Sequence, residues 1–380
     1  MSANRIPMVD LKRQYQSIKG PIDRAVRSVI ESGYYMGGPE VQAFEEEWAR
    51  YCGTAHCVAL ANGTDALNLT LRALDVGPGD EVVTVSFTLS ATLDAIVATG
   101  ARPVLVDVDP ETYTMDAGLI ERAVSPRTKV ILPVHIYGHP ADMDAILTVA
   151  RRDGLPVVAD SCEAHGTLYK GKQVNALATA SCFSFYPTKN LNAIGDAGAV
   201  VTDDPAIAER LRLLRSHGWD TRFHSVVSSM NSRMDEIQAA VLRAKLPLLD
   251  RWNQRRLEIA SRYDATLDGT TVRPAARERW ATPSYYLYVA ATPAREELRR
   301  ALDAKGIASD VHWPEAPHLQ PAFATLGYGR GTLPVTERLC DEVLTLPMFP
   351  EMTDAEVDRV CDALRQFSSE SKLALPAAGA

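Results

Sequence analysis

The chain has 380 residues, 46% of them apolar, and a formal net charge of −8. That length holds a large domain with a smaller one appended, and basic residues gather nowhere, which argues against nucleic acid as the main partner. No apolar run approaches the roughly 18–20 residues that cross a bilayer, and the start, MSANRIPMVDLKRQ, has no signal core, so a soluble cytoplasmic protein is expected. The cysteines Cys52, Cys57, Cys162, Cys182, Cys340 and Cys361 are scattered with no C-x-x-C pair. They read as reduced core residues, with no metal site and no disulfide framework.

From about residue 55 to 202, short apolar runs alternate with helical patterns. HCVALA (56–61) reads as a strand and TDALNLTLRAL (64–74) as a helix. DEVVTV (80–85) precedes the helical LSATLDAIVAT (89–99), and PVLVDV (103–108) precedes DAGLIERAV (116–124). KVILPV (129–134) precedes ADMDAILTVARRD (141–153), and LPVVAD (155–160) is another buried strand. Strands that are apolar throughout, separated by helices, predict a mostly parallel sheet covered on both faces. A β-like run over 181–186 leads into a loop, and AGAVVTD (197–203) is expected to close an edge of the sheet. Helices follow over 206–218 and 234–267, the second interrupted at Pro247. Beyond about 270 the pattern becomes α+β, with a strand over 284–291 and helices over 295–306 and 354–367. The expected division is a large domain over 15–250 and a small one over 251–370. Residues 1–14 would pack on the small domain, and 371–380 would form a disordered tail.

Ligands of open parallel sheets bind at the carboxyl ends of the strands. After HCVALA comes Asn62-Gly63-Thr64-Asp65, opening a helix. Free N–H groups there and the Thr64 hydroxyl can hold a phosphate, although Gly-Thr-Asp is also an ordinary helix cap. After LPVVA stands Asp160, a carboxylate at the end of an apolar strand, which needs a cation or good hydrogen bonds. A structural Asp that caps the next turn would satisfy the same pattern. Lys189 follows the next strand in a tight, largely apolar loop. A buried lysine is expected to have a lowered pKa and a nucleophilic amine, the requirement for a Schiff base. Pyridoxal 5′-phosphate (PLP) uses a phosphate cup, such a lysine and a carboxylate against its pyridine nitrogen.

With these residues in place the chain resembles the DegT/StrS sugar aminotransferases, within the aspartate-aminotransferase fold (fold type I). The resemblance runs over about residues 6–367. It rests on SGYYMGGPEVQAFEEEWARYCG, ANGTDAL, GDEVVTVSFT, PVLVDVDPETYTMD, PVHIYGHPADMD, ADSCEAHG, FSFYPTKNL, GDAGAVV, NSRMDEIQAAVL and TLPMFP. It implies an α/β fold with a large, mostly parallel sheet domain and a smaller C-terminal α+β domain. By motif, Lys189 is the Schiff-base lysine, Asp160 the pyridine-nitrogen partner and Glu163 the residue at the ring hydroxyl, a position that is often Gln. Gly63, Thr64 and Ser184 are phosphate ligands, Leu89 covers the ring, and His165 and Tyr186 line the substrate side. Asn231 matches a residue that reaches the phosphate from the second subunit, which implies a homodimer with shared sites. Leu89 stands where an aromatic is usual, Asn192 where Gly is common, and Ser229-Met230 where Gly-Tyr is usual. Aliphatic cover by Leu89 is expected, with Phe87 turned into the core.

The reaction the resemblance implies is transfer of an amino group from L-glutamate to a nucleotide-linked keto-deoxysugar, the 3-keto class ahead of the 4-keto. A keto-cyclitol acceptor is the alternative. A PLP-dependent sugar dehydratase, whose relatives carry His in place of the lysine, and a non-catalytic PLP-binding regulator are weaker readings.

Overall fold

The computed structural model describes residues 5–374, with side chains to residue 369. Strands β1 (His56–Leu60), β2 (Glu81–Val85), β3 (Arg102–Val106), β4 (Thr128–Ile131), β5 (Val158–Asp160), β6 (Ala180–Ser184) and β7 (Gly198–Thr202) build the large sheet. Four run in the order β1-β7-β6-β5 and three in the order β3-β2-β4. Parallel bridges Ile131–Val157 and Val134–Asp160 join β4 to β5. Both β2 and β7 are buried at every residue, as strands covered on two faces must be.

The run over 197–203 does not close an edge. β7 lies inside the sheet, antiparallel to both β1 and β6, and β1 takes the edge. The reason is the connection from β6: residues 185–197 contain no helix, and a parallel return needs a crossover. The chain therefore doubles back, and Lys189 sits at the reversal.

Gln14 belongs to the short helix α1 (Leu11–Ser17), and α2 (Gly63–Ala73) follows β1 directly. Helix α3 (Glu236–Lys245) is separated from α4 (Leu249–Leu267) by a single 3-10 turn at Leu246–Leu248, so Pro247 breaks the helical run where expected. Near its start α4 packs Trp252 against Ile18, Ile22 and Val241. Further along, Ile259, Ala260, Tyr263 and Leu267 enter a second core with Tyr288, Leu344, Leu346 and Leu364. That core carries a small antiparallel sheet in the order β8 (Arg273–Pro274), β9 (Tyr288–Ala291), β10 (Val343–Leu346). Ile6 bridges to Ile307 and is fully buried there, tying the N-terminal stretch to this core.

The strand expected over 284–291 starts only at Tyr288. Tyr285 takes a left-handed φ of 45°, which the strand conformation cannot include. The last helix, α5 (Asp354–Ala374), runs into the segment expected to be disordered, and residues 375–380 of that segment lie outside the described residues. Residues 368–374 contain neither Gly nor Pro, so nothing there breaks a helix. Among the described residues no helix is long and apolar enough to cross a membrane.

Candidate active site

The carboxyl ends of β1, β5 and β6 open onto one cavity of about 410 Å³. Its floor begins at α2. Asn62 caps this helix, its Oδ1 accepting from the Asp65 N–H at 2.8 Å. Gly63 follows, and a Cβ there would stand 2.7 Å from Ser184 Cβ and 2.9 Å from Cys162 Sγ. Only glycine lets the helix start this close to β6. Gly63, Thr64 and Ser184 all line the cavity, so the first-turn N–H groups and two hydroxyls face the same space.

Asp160, the last residue of β5, is 6% exposed. Its Oδ2 accepts from Thr92 Oγ1 at 2.8 Å and its Oδ1 from the Cys162 N–H at 3.2 Å. Burial pushes the carboxyl up, these two donors oppose it, and the result lies above the ordinary value. No ion pair to Asp160 occurs among the described residues. It is a buried carboxylate on the cavity wall, aimed by two donors and lacking a cation.

Lys189 reaches the same cavity from the 185–197 reversal. Its Nζ donates to Glu163 Oε1 at 3.2 Å and lies 3.9 Å from the centre of the Tyr286 ring. Glu163 is fixed from the other side, its Oε2 accepting from the Tyr137 N–H at 2.7 Å. Tyr137 adopts a left-handed φ of 57° that turns this N–H toward the carboxylate. Burial, the largest single influence, pushes Lys189 down, but the Glu163 charge and hydrogen bond together with Tyr286 and Cys162 hold the ammonium above the ordinary lysine value. The lowered pKa read from the sequence is thus reversed, because sequence shows the apolar loop and not the carboxylate brought against it.

Leu89 and Tyr186 line the cavity too, each about half exposed at 49% and 51%. Phe87 is buried in the core, edge-on to Tyr113 and Tyr137, so it does not compete with Leu89 for the cavity. Asn231 lies outside the cavity of its own chain, exposed, with its Oδ1 accepting from Arg233 Nε at 2.9 Å. His165, expected on the substrate side, is not among the residues that line this cavity. It is fully buried and packs on Trp48, Phe183 and Phe185, and burial drives its pKa down to about 3. The turn through Gly166, at φ 80°, buries the imidazole behind β6.

The sequence reading missed the opposite wall: Thr188, Tyr286, His312 and Trp313. His312 Nδ1 meets Thr345 Oγ1 of β10 at 2.8 Å, its backbone carbonyl accepts from Tyr137 Oη, and burial lowers its pKa. The one available signal was the adjacent His312-Trp313 pair in a short segment between two elements of the second core.

These residues fit PLP on their own geometry. The helix start that a Cβ would fill offers N–H groups and hydroxyls to a phosphate. The unpaired Asp160 carboxylate matches a protonated ring nitrogen. A primary amine stands beside it in the same cavity.

A profile of the DegT/DnrJ/EryC1/StrS aminotransferase family matches residues 16–365. The "Erythromycin biosynthesis sensory transduction protein EryC1" of Saccharopolyspora erythraea is 46% identical over 361 residues, covering 95% of this chain and 99% of that one. The "dTDP-3-amino-3,4,6-trideoxy-alpha-D-glucose transaminase" of Streptomyces venezuelae is 45% identical, over 96% of each chain. The "UDP-2-acetamido-2-deoxy-3-oxo-D-glucuronate aminotransferase" of Pseudomonas aeruginosa is 40% identical, over 94% of this chain and 99% of that one. Among solved structures, S. venezuelae DesV in complex with a ketimine intermediate superposes with a TM-score of 0.94 at 44% identity, covering 96% of this chain and 99% of that one. NtdA of Bacillus subtilis with bound cofactor PMP gives 0.90 at 30% identity, covering 97% and 86%. The fold is that of the PLP-dependent aminotransferases, and PLP is the cofactor. With the profile matching residues 16–365 and the structural likeness covering 96% of it, the chain belongs to the DegT/DnrJ/EryC1/StrS aminotransferase family.

Proposed function

We propose that this aminotransferase moves an amino group from L-glutamate to the 3-keto group of a nucleotide-linked deoxysugar, acting in the cytoplasm as a homodimer. The observation that carries the reading is the convergence of Lys189, Asp160 and the α2 N-terminus on one cavity. Bound PLP supplies an electron sink that lets a proton leave the carbon carrying the amino group.

The chain's own residues divide the remaining work. Gly63, Thr64 and Ser184 bind the phosphate through backbone N–H and hydroxyl donors. Asp160 holds a proton at the ring nitrogen, and Thr92 and the Cys162 N–H keep its carboxylate aimed there. Lys189 anchors the cofactor through Nζ. When the amino donor displaces it, the same Nζ takes the proton from the donor Cα and later delivers one to the acceptor carbon. Glu163 accepts the Lys189 proton contact before the cofactor binds and the ring-hydroxyl contact afterwards. Leu89 covers one ring face, and Tyr186 lies on the acceptor side. Asn231, exposed and off its own cavity, serves the phosphate of the partner's site.

The acceptor class is supported by relatives whose names place the nitrogen or the keto group at carbon 3 of dTDP- and UDP-linked sugars. A relative named for sensory transduction speaks for a regulator, and turnover of glutamate with a keto-sugar acceptor separates that reading from transamination. The test runs the reaction in reverse, with 2-oxoglutarate and a panel of 3-amino and 4-amino nucleotide sugars and amino-cyclitols. Mass spectrometry follows loss of each amino compound and appearance of glutamate. Consumption confined to 4-amino sugars or cyclitols overturns the acceptor, and no glutamate overturns the donor.

A further inference from the structure

Lys245 ends α3 with its ammonium inside the protein, 5% exposed. It meets neutral acceptors only. Its Nζ donates to Gln14 Oε1 at 3.1 Å, to the Asn192 carbonyl at 2.9 Å and to Asn192 Oδ1 at 2.8 Å. An ammonium carries three protons, and these acceptors use all of them. Asn192 is 2% exposed and passes the connection on, donating its side-chain Nδ2 to the carbonyl of Pro187. Pro187 stands two residues before Lys189, and Asn192 three after it. The two residues therefore hold both ends of the short segment from which Lys189 extends.

The charged surroundings do not offer Lys245 a better partner. Glu351 faces it from beyond β10 without forming an ion pair, and Arg256 of α4 and Asp10 face Glu351 in turn. Burial brings the Lys245 pKa down to about 8, with Glu351 opposing. A charge held against such burial needs every hydrogen bond it has. A glycine at position 192 would remove the Oδ1 acceptor and the Nδ2 donor together.

We propose that Lys245 and Asn192 are positioning residues that clamp segment 187–192 and so fix where Lys189 enters the cavity. The meaning for catalysis rests on Lys189 as the cofactor anchor, but the clamp itself can be tested without any substrate. The amides of Lys189 and Ala193 bond to the Tyr186 and Phe185 carbonyls at 2.9 and 2.8 Å and report on the segment. Hydrogen exchange of the apoprotein is compared for wild type, Asn192→Ala, Lys245→Met and the double variant. Each single change is expected to speed exchange of these amides about tenfold, the factor of about 1.4 kcal/mol, with strands β1 and β2 unaffected. The double variant should exceed neither single change, because both cut the same connection. PLP retention, measured by titration of the same apoproteins, should weaken in parallel.

Unchanged exchange over 186–193 overturns the proposal. So do effects that multiply in the double variant, or faster exchange spread evenly over the sheet, which marks a plug in the core. Should Lys245→Met not fold, Asn192→Ala decides alone, since it leaves the backbone freedom of the segment unaltered. Failure of the sugar screen with the local exchange change present would refute the acceptor and leave the clamp standing.

Discussion

Glu163→Gln isolates the charge that governs Lys189. The pair is separated by 3.2 Å, with the two side chains 11% and 10% exposed. A hydrogen bond to a charged group is worth about 1.5–3 kcal/mol, and the direct attraction at this separation, with an effective dielectric near 20, is about 5 kcal/mol as an upper limit. Glutamine keeps the bond from the Tyr137 N–H through its carbonyl oxygen and turns its NH₂ toward Lys189. The ammonium then loses its counter-ion and faces a donor. The foremost influence that raises Lys189 is gone, while burial, which lowers it and is larger than any single raising influence, remains. The folded-state pKa of Lys189 therefore falls. The neutral fraction at pH 7 should rise about ten- to hundredfold, taking the hydrogen-bond figure. Capture of PLP by the apoprotein needs the neutral amine, so its rate should rise by the same factor and its pH profile should move toward acid. Stopped-flow absorbance on mixing apoprotein with PLP measures this, and borohydride reduction with peptide mapping confirms attachment at Lys189. Unchanged or slower capture, or a profile displaced toward alkali, would refute the reasoning.

Asp160→Asn should bind PLP but lose turnover by about a thousandfold or more, because the amide cannot hold the ring proton. Wild-type turnover would remove Asp160 from the assignment. Leu89→Tyr should tighten PLP retention up to about tenfold, since an aromatic face adds about 0.5–1.5 kcal/mol beyond burial and Phe87 is turned away. A titration that shows no gain would mean that the ring lies out of reach of residue 89. Mixed dimers of Lys189→Ala and Asn231→Ala subunits should recover activity that both parent proteins lack. No recovery, with mixed dimers shown to form, would place the two residues in one subunit's site.

Much of the site could be read because its chemistry sits at the ends of short apolar strands. VVAD stops at a carboxylate and HCVAL stops at a helix cap, and apolar runs of this kind leave only their ends for polar work. Direction was less legible. β7 has the composition of any buried strand, and its antiparallel run follows from the helix-free connection before it. His165 shows a different limit. A histidine five residues past a strand end can face either side of the following turn, and here Gly166 and the Trp48 cluster take it inward. His312, Trp313 and Tyr286 were invisible because their place depends on the small core. The Asp310–Thr345 bridge and the turn at Tyr285 bring them to residues far earlier in the chain.

Helix α4 has its first turn seated in one core and its later turns in the other. A helix propagates cooperatively, so turns stripped of packing at one end weaken those that remain. Melting the small core would leave Trp252 on a frayed support, and loosening Trp252 would unseat Tyr263. Arg256, between them, ties the same helix to the carbonyls of Tyr285, Tyr286 and Met348 at 3.0–3.2 Å. The two halves therefore share one unfolding unit, and the cavity wall at Tyr286 persists for as long as the molecule as a whole stays folded.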